Sequence, residues 1–463
     1  MADIFHMDDD GELSRQLDRS LVIGEINYRL LDDEATETED AGIPAGEEDE
    51  EDEEEEESSE VDELQSTLHD GRIPNHGRGR GSISKSYEVG INQPFVSSLN
   101  GGASVANNAG DSRSKGPKSS DFEPLSVLGK GAYGTVLLVR EKATGRLFAQ
   151  KQLKKASLII NETKEIHETN YKRTLNEKTI LETVSHPNVV KLFFAFQDNN
   201  KLYLILEYLD GGELFHHLAQ ERYLPEPKAA YYIAQIILAL RYLHSLGVIY
   251  RDLKPENCML NSSGSLVLTD FGLSKVSSGD DKSHSMIGTA QYMAPEILRN
   301  EPYGFAVDWW SLGCVAYDLL TGSPPFTGNN NKKVMDKVLA AKKNLKFPFY
   351  LSNDAKDFLR KLLQSNPAKR WNIDEDFESV KKHRFFRNID WHQLENIDQF
   401  PDALPPILPV ITDPALAENF DPEFTNLPFT PTSHNSNTSY LSSAEGPLFH
   451  VKGFTFTNES FLM

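Results

Sequence analysis

The 463-residue chain is poor in cysteine, in long apolar runs and, over its first 120 residues, in basic side chains. Its two cysteines, Cys258 and Cys314, exclude a disulfide framework and suit a reducing compartment. No apolar run approaches the ~18 residues that span a bilayer, and the N-terminus lacks a signal-peptide pattern. These absences set the expectation of a soluble protein of the cytoplasm, with access to the nucleus. No internal repeat is evident, which argues against a solenoid. Basic residues are scarce in one region only. Residues 1–120 hold 30 acidic and 10 basic side chains, so −20 of the net −23 lies there. The acidity belongs to the N-terminal region, and the remainder is close to balance. A chain this long also exceeds the about 250–300 residues that one core sustains.

Residues 1–121 lack sustained apolar periodicity and read as a disordered acidic region. Glu47 to Glu57 is an unbroken run of Glu and Asp, either a solvated spacer or a regulatory surface. Arg72 to Arg80 is a short basic counterweight, and Asn100 to Gly110 reads as a linker. Two islands interrupt the polarity: Phe5-His6-Met7-Asp8-Asp9 and Tyr87-Glu88-Val89-Gly90-Ile91.

What is present from Phe122 onward is chemistry. Val248 to Asn257 reads as a loop for phosphoryl transfer. Asp252 can orient and deprotonate a hydroxyl, Lys254 can neutralise the moving phosphate, and Asn257 can hold Mg2+. After the turn Asn261–Gly264, the apolar run Leu266-Val267-Leu268 makes a hairpin that delivers Asp270-Phe271-Gly272, a second metal-binding Asp, beside that loop. Ala294-Pro295-Glu296 closes the segment that follows. Upstream, the glycines of Leu128-Gly129-Lys130-Gly131-Ala132-Tyr133-Gly134 lie between two strand-like runs, so they form a hairpin lid over phosphates rather than a dinucleotide fold. Lys151 falls on the next strand. Glu177 lies in a helical stretch with Leu175, Ile180, Leu181 and Val184, placed to pair with Lys151. Lys201 to Tyr208 reads as a strand entering a hinge, Leu209 to Leu214 as the start of a helix, and Ala229 to Leu246 as a long buried helix.

Together these motifs resemble a eukaryotic protein kinase. Tyr250 before Arg251-Asp252, the Asp308-Trp309-Trp310 run and a Phe-rich tail resemble the AGC group of Ser/Thr kinases. Lys201 to Leu209, Asp308 to Gly313 and Pro324 to Gly328 most resemble its ribosomal protein S6 kinase branch.

The resemblance implies a two-lobed α+β fold over residues 122–386, with a small β-rich N-lobe, a large helical C-lobe and a C-terminal tail over 387–463. ATP and Mg2+ are the implied cofactors. Leu128, Gly129, Lys130, Gly131 and Gly134 would cover the nucleotide, and Lys151, held by Glu177, would grip its phosphates. Val136, Ala149 and Met259 would sandwich the adenine, Leu206 would gate the back pocket, and Glu207 and Leu209 would offer backbone groups. Asn257 and Asp270 would bind Mg2+, Glu296 would pair with Arg370, and Leu181, Leu192, Tyr250 and Phe271 would stack as a spine. Glu213, Glu256 and Asp318 would receive substrate arginines in Arg-x-Arg-x-x-Ser/Thr. Regulatory phosphosites would fall at Ser285, Thr430 and Thr455. The implied partners are protein substrates and upstream kinases, plus a TOR complex docking on Phe5–Asp9, with no nucleic acid and a monomeric enzyme.

Several residues depart from the family pattern. Ser285 replaces a Thr, Met286-Ile287 replace Phe-Cys, Gln150 is unusual beside Lys151, and His6 and Asp9 alter the TOR motif. In the tail, Val451 replaces the leading aromatic of Val451-Lys452-Gly453-Phe454-Thr455-Phe456, which predicts weaker docking there. Phe420 to Thr425 resembles the segment that reaches back over the nucleotide. The readings that compete with this one are another AGC branch and a catalytically silent scaffold.

Overall fold

Alternating apolar residues from Phe122 onward build an antiparallel sheet, and its order fixes where the lysine of the third strand points. The computed structural model describes residues 116–131, 134–160, 165–166, 168–218, 222–276, 288–400, 404–428 and 450–458. Phe5–Asp9, Glu47–Glu57, Tyr87–Ile91, Ser285 and Thr430 lie outside them. Just before Phe122, the turn Ser119–Asp121 accepts from Lys142 Nζ at Ser120 O and from Lys142 N at Asp121 O.

The N-lobe strands are β1 (Phe122–Gly131), β2 (Gly134–Glu141), β3 (Leu147–Lys154), β4 (Leu192–Gln197) and β5 (Lys201–Leu206), with helix α1 (Glu168–Thr183) between β3 and β4. They run antiparallel in the order β1-β2-β3-β5-β4. Period-two alternation sends Phe122, Phe148, Phe194, Phe196 and Tyr203 to one face, where Phe122 stacks on Phe196 at 5.9 Å. Gln150 is buried beside Lys151 but belongs to the opposite face, where it accepts from Gln152 Nε2 at 2.6 Å.

The C-lobe is built on α2 (Glu226–Ser245), the hairpin of β6 (Cys258–Leu260) and β7 (Leu266–Leu268), and helices α3 (Ala306–Thr321), α4 (Asn331–Leu339) and α5 (Asn353–Leu362). Helix α2 starts three residues before the expected Ala229, since Pro227 is tolerated in a first turn. Its Ile233, Ile236, Ile237, Leu240 and Leu243 are fully buried, each contributing roughly 1.5–3 kcal/mol. The helix expected from Leu209 begins only at Leu214. Gly212 there takes φ 72°, and Gly212–Glu213 pairs with β6, a conformation that glycine adopts without strain.

Helices α3 and α5 approach closely at Gly313, where a Cβ would sit 2.9 Å from Leu363 Cδ2. Arg370 ties the segment after α5 to the short helix Pro295–Leu298. Its Nη1 and Nη2 meet Glu296 Oε1 and Oε2 at 2.6 and 2.9 Å, and both residues are buried. Such a fork-to-fork pair is acceptable in a core only with its other donors engaged. Arg370 meets that condition by also donating to Ala306 O and Gln364 O.

Candidate active site

The loop that carries Asp252 is held from below by Asp308, at the start of α3. This carboxylate is wholly buried. Its Oδ2 accepts from Tyr250 N and Oδ1 from Arg251 N, each at 2.8 Å. Arg251 has φ 65°, a conformation costing a non-glycine residue about 1–3 kcal/mol unless its surroundings impose it. The two amide bonds to Asp308 impose it here. His244 completes the support, with Nε2 on Asp308 Oδ2 and Nδ1 on Asp374 Oδ2, both at 2.8 Å. Burial would lower the pKa of His244, but the bonds to Asp308 and Asp374 outweigh it and raise the value to about 9.

Above this support stand the reactive groups. Asp252 Oδ2 lies 3.1 Å from Lys254 Nζ and accepts from Asn257 Nδ2 at 2.9 Å. With its amide nitrogen so engaged, Asn257 has its Oδ1 left as a ligand oxygen. Asp270, at the end of the β6–β7 hairpin, accepts from Lys151 Nζ at 2.9 Å, and the same Nζ meets Glu177 Oε1 of α1 at 2.6 Å. The two aspartates are pushed apart. Lys151 holds the Asp270 carboxyl below its usual range, whereas burial raises that of Asp252 against the pull of Lys254 and Asn257. Divergent environments of this kind separate an ionised ligand from a proton acceptor. Burial opposes the charge on Lys151, but Asp270 and Glu177 outweigh it and raise its pKa.

Asp270 and the Asn257 amide offer hard oxygens that fit Mg2+, which takes one or two protein ligands and completes its shell with phosphates and water. Among the described residues no cluster of three or more His, Cys, Asp or Glu could hold a metal by itself.

A cleft of about 870 Å³ runs over these groups, bounded by Leu128, Gly129, Lys130, Gly131, Gly134 and Val136 above and by Asp252, Lys254, Asn257 and Asp270 below. The three glycines have different reasons. Gly134 is required by the sheet, because a Cβ there would lie 2.0 Å from Gln152 O. Gly129 and Gly131 would meet nothing within 4 Å, so packing does not demand them. Their bareness keeps space for a ligand to approach the backbone.

An adjoining chamber of about 240 Å³ is lined by Val136, Ala149, Leu206, Met259 and Phe420. At its edge Glu207 N–H donates to Lys191 O and Leu209 O accepts from Gly212 N. The spine residues meet as expected at one point. Tyr250 and Phe271 rings lie 5.3 Å apart, edge to face, and the Tyr250 hydroxyl donates to Thr269 O.

Glu213 and Glu256 line the same cleft and are joined there by Asp421 from the tail. Partial burial, with Glu256 and Asp421 close by, pushes the Glu213 carboxyl up to about 7. Asp318 lies apart from this lining. It is buried in α3 behind Tyr292, whose hydroxyl donates to Oδ2 at 2.9 Å. Burial raises its pKa to about 6 despite that bond, and Glu256 adds to the rise.

The C-terminal tail returns to the N-lobe. Phe456–Thr457 forms strand β8, antiparallel to β4 at its free edge. Phe454 is fully buried, and Lys178 Nζ of α1 donates to Gly453 O at 2.8 Å. Val451, the residue that stands in place of the family's aromatic, is seated in the same way. It is buried, and Gln197 takes both its backbone groups, accepting from its N–H at 2.9 Å and donating to its C=O at 2.7 Å. Thr455 stays exposed between the two phenylalanines. Upstream, Phe420 stacks on Tyr208 at 5.9 Å and closes the chamber. Sequence reasoning missed Asp308 and His244 as loop supports, Asp421 as a cleft acid and Gln197 as the tail's receptor. Asp308 and Asp421 stood in motifs that could have announced them, within Asp308–Gly313 and Phe420–Thr425.

Residues 122–386 match the family model described as protein kinase domain. The chain is 44% identical over 388 residues to the serine/threonine-protein kinase YPK3 of Saccharomyces cerevisiae, covering 73% of this chain and 74% of that one. Similarity to the ribosomal protein S6 kinase beta of Caenorhabditis elegans is 40% over 408 residues, covering 87% and 69%. The serine/threonine-protein kinase Sgk1 of Gallus gallus is 42% identical over 339 residues, covering 73% and 76%.

The support under the loop makes stability depend on pH. His244 has a folded pKa of about 9 against an ordinary 6.5. Its contribution is therefore complete below pH ~6.5 and lost as pH rises toward ~9, a difference of about 3 kcal/mol. Urea unfolding from pH 6 to 9.5 should show the wild type losing this much more than His244→Gln. Parallel profiles for the two proteins would contradict the assignment.

Proposed function

Because the chain belongs to the protein kinase family, as a serine/threonine kinase of the AGC group whose members use ATP and Mg2+, we propose that it phosphorylates Ser or Thr hydroxyls preceded by arginines. The preferred context is Arg-x-Arg-x-x-Ser/Thr. Asp252 accepts the hydroxyl proton, a role its raised pKa favours. Lys254, beside it, offsets charge on the phosphoryl group in transit, and Lys151 grips the phosphates. Asn257 and Asp270 would hold Mg2+. Bound there, the ion neutralises phosphate oxygens. Positioning and fixed charge carry most of the rate.

The observation that carries the specificity is the acid cluster. Burial first, and then the neighbouring charges of Glu256 and Asp421, push Glu213 up to about 7, so an arginine arriving there compensates carboxylates that are partly desolvated and mutually repelling. Guanidinium suits such carboxylates through paired, charge-assisted bonds. Asp318 acts at one remove, orienting Tyr292 and adding to the negative field. The S6 kinase-like assignment extends the reading to TOR-dependent nutrient and growth signalling in the cytoplasm and nucleus, with upstream kinases acting on Ser285, Thr430 and Thr455 and a TOR complex docking on Phe5–Asp9.

A peptide array with the purified full chain tests this. Asp252→Asn should lose at least about 10²-fold of transfer, and Glu213→Lys should lose selectively those peptides with arginine three residues upstream. A wild-type preference for acidic or proline-directed peptides would refute the proposed specificity.

Regulation follows from the tail. Phosphate on Thr455 adds about two negative charges beside the Lys178 helix, and the seated tail favours the Lys151–Glu177 pair, a shift in population rather than in chemistry. A phosphate on Ser285 would order its segment in the same manner. Thr455→Ala and Ser285→Ala should each lower activity toward a basic peptide, with phosphorylation of the wild type verified by mass spectrometry. Full activity in both variants would eliminate this switch.

A further inference from the structure

A phenylalanine stands almost bare on a C-lobe loop that the fold holds from both sides. The loop joins the short helix Ala341–Asn344 to α5, and Phe349 on it is 94% exposed. Tyr317 of α3 donates its hydroxyl to Lys346 O at 2.8 Å, and Arg360 of α5 lies over the Phe347 ring at 5.0 Å. On the other side Leu351 is buried, and Ser352 donates to Glu226 from N at 2.7 Å and from Oγ at 2.6 Å. Lys356 Nζ donates to Phe349 O itself at 3.4 Å. Two more exposed rings join the first. Tyr350 stacks on Tyr223 at 5.3 Å, and Phe349 meets Tyr350 edge to face at 5.9 Å. Single exposed apolar side chains are ordinary, but three aromatics in contact on a braced loop make a patch.

The patch is bordered by basic side chains. Lys342, Lys343 and Lys346 are exposed just before it, and Lys332, Lys333 and Lys337 are exposed on α4. Asp336 is the single acid between residues 331 and 352. Among the described residues no ion pair reaches any of these six lysines, whereas Lys361 and Lys381 do meet Asp357 and Glu395. None of the six, and none of the three rings, lines the cleft or the adjoining chamber. Lysines spread in this way suit an extended anionic surface better than a single phosphate. The rings narrow the choice further. A nucleic acid needs open ring faces on which bases stack, and Tyr223 and Tyr350 turn theirs toward each other. A bilayer interface instead accepts an apolar ring at the acyl boundary, keeps tyrosine hydroxyls at headgroup level and draws lysine heads to lipid phosphates. We infer that Phe349, with Lys342, Lys343 and Lys346, docks the kinase peripherally on an anionic phospholipid surface and leaves the cleft open to soluble substrates.

The test is co-sedimentation of the full chain with phosphatidylcholine vesicles, with and without phosphatidylserine. The wild type should partition onto the anionic vesicles and not the neutral ones, and should be released several-fold at about 0.5 M NaCl, where screening is short-ranged. Each lysine near such a surface is worth about five-fold in partitioning, so K342Q/K343Q/K346Q should bind roughly 10²-fold more weakly. Phe349→Ser should bind several-fold more weakly. Both variants should keep wild-type activity on a short soluble peptide, which controls for folding. Depth is read separately. Both native cysteines are buried, so Phe349→Cys can carry an environment-sensitive dye, whose emission should rise and shift to the blue on anionic vesicles alone. Equal partitioning of the wild type and the triple lysine variant would overturn the proposal, as would a dye that stays in water while the protein is bound. Binding of a labelled oligouridylate of about 20 nucleotides without any partition onto vesicles would also overturn it, and would assign the face to a nucleic acid.

Discussion

Much of this structure depends on one buried carboxylate accepting two backbone N–H groups. Asp308 holds Tyr250 N and Arg251 N at 2.8 Å and thereby keeps Arg251 in a left-handed conformation that its own side chain disfavours. Asp252 follows in the next position, so the direction of its carboxylate is set by a residue 58 positions from Tyr250. A buried charge without partners would be costly. Here the two amides and the protonated His244 satisfy it, and Asp374 in turn satisfies His244. The strain at the loop is held by this network of paired polar groups.

The upper half of the site has a comparable economy. Glu177 and Lys178 are neighbours on α1, one reaching Lys151 and the other the tail at Gly453. Seating Phe454 and Val451 therefore bears on the same helix that positions the phosphate-gripping lysine. Because β8 adds to the free edge of β4, docking extends the sheet as well as filling a groove. Main-chain bonds supply affinity in this mode, and side chains supply selectivity.

The sequence made legible whatever rests on local pattern. Alternation gave the strands, the glycine spacing gave the lid, and the short motifs around Asp252, Asp270 and Glu296 named groups that the fold does gather. Long-range partners were not legible. Gln197 meets Val451 across 254 positions, and Asp421 joins Glu213 from the far end of the tail, with no periodicity to betray either contact. The glycines show the same limit at smaller scale. Gly129, Gly131 and Gly134 look alike as letters, yet only Gly134 is sterically obliged. The delayed start of the helix at Leu214 came from Gly212 pairing with β6, a tertiary choice that overrode a local expectation.

If Asp308 organises the site, removing its charge while keeping its shape should damage turnover more than binding. Steady-state phosphoryl transfer by Asp308→Asn measures this directly, with circular dichroism as the check on folding. The account predicts a folded protein whose kcat falls by about 10²-fold or more, the cost of a misplaced reacting group, while KM for ATP stays within a few-fold. A folded Asp308→Asn variant with wild-type kcat would contradict it.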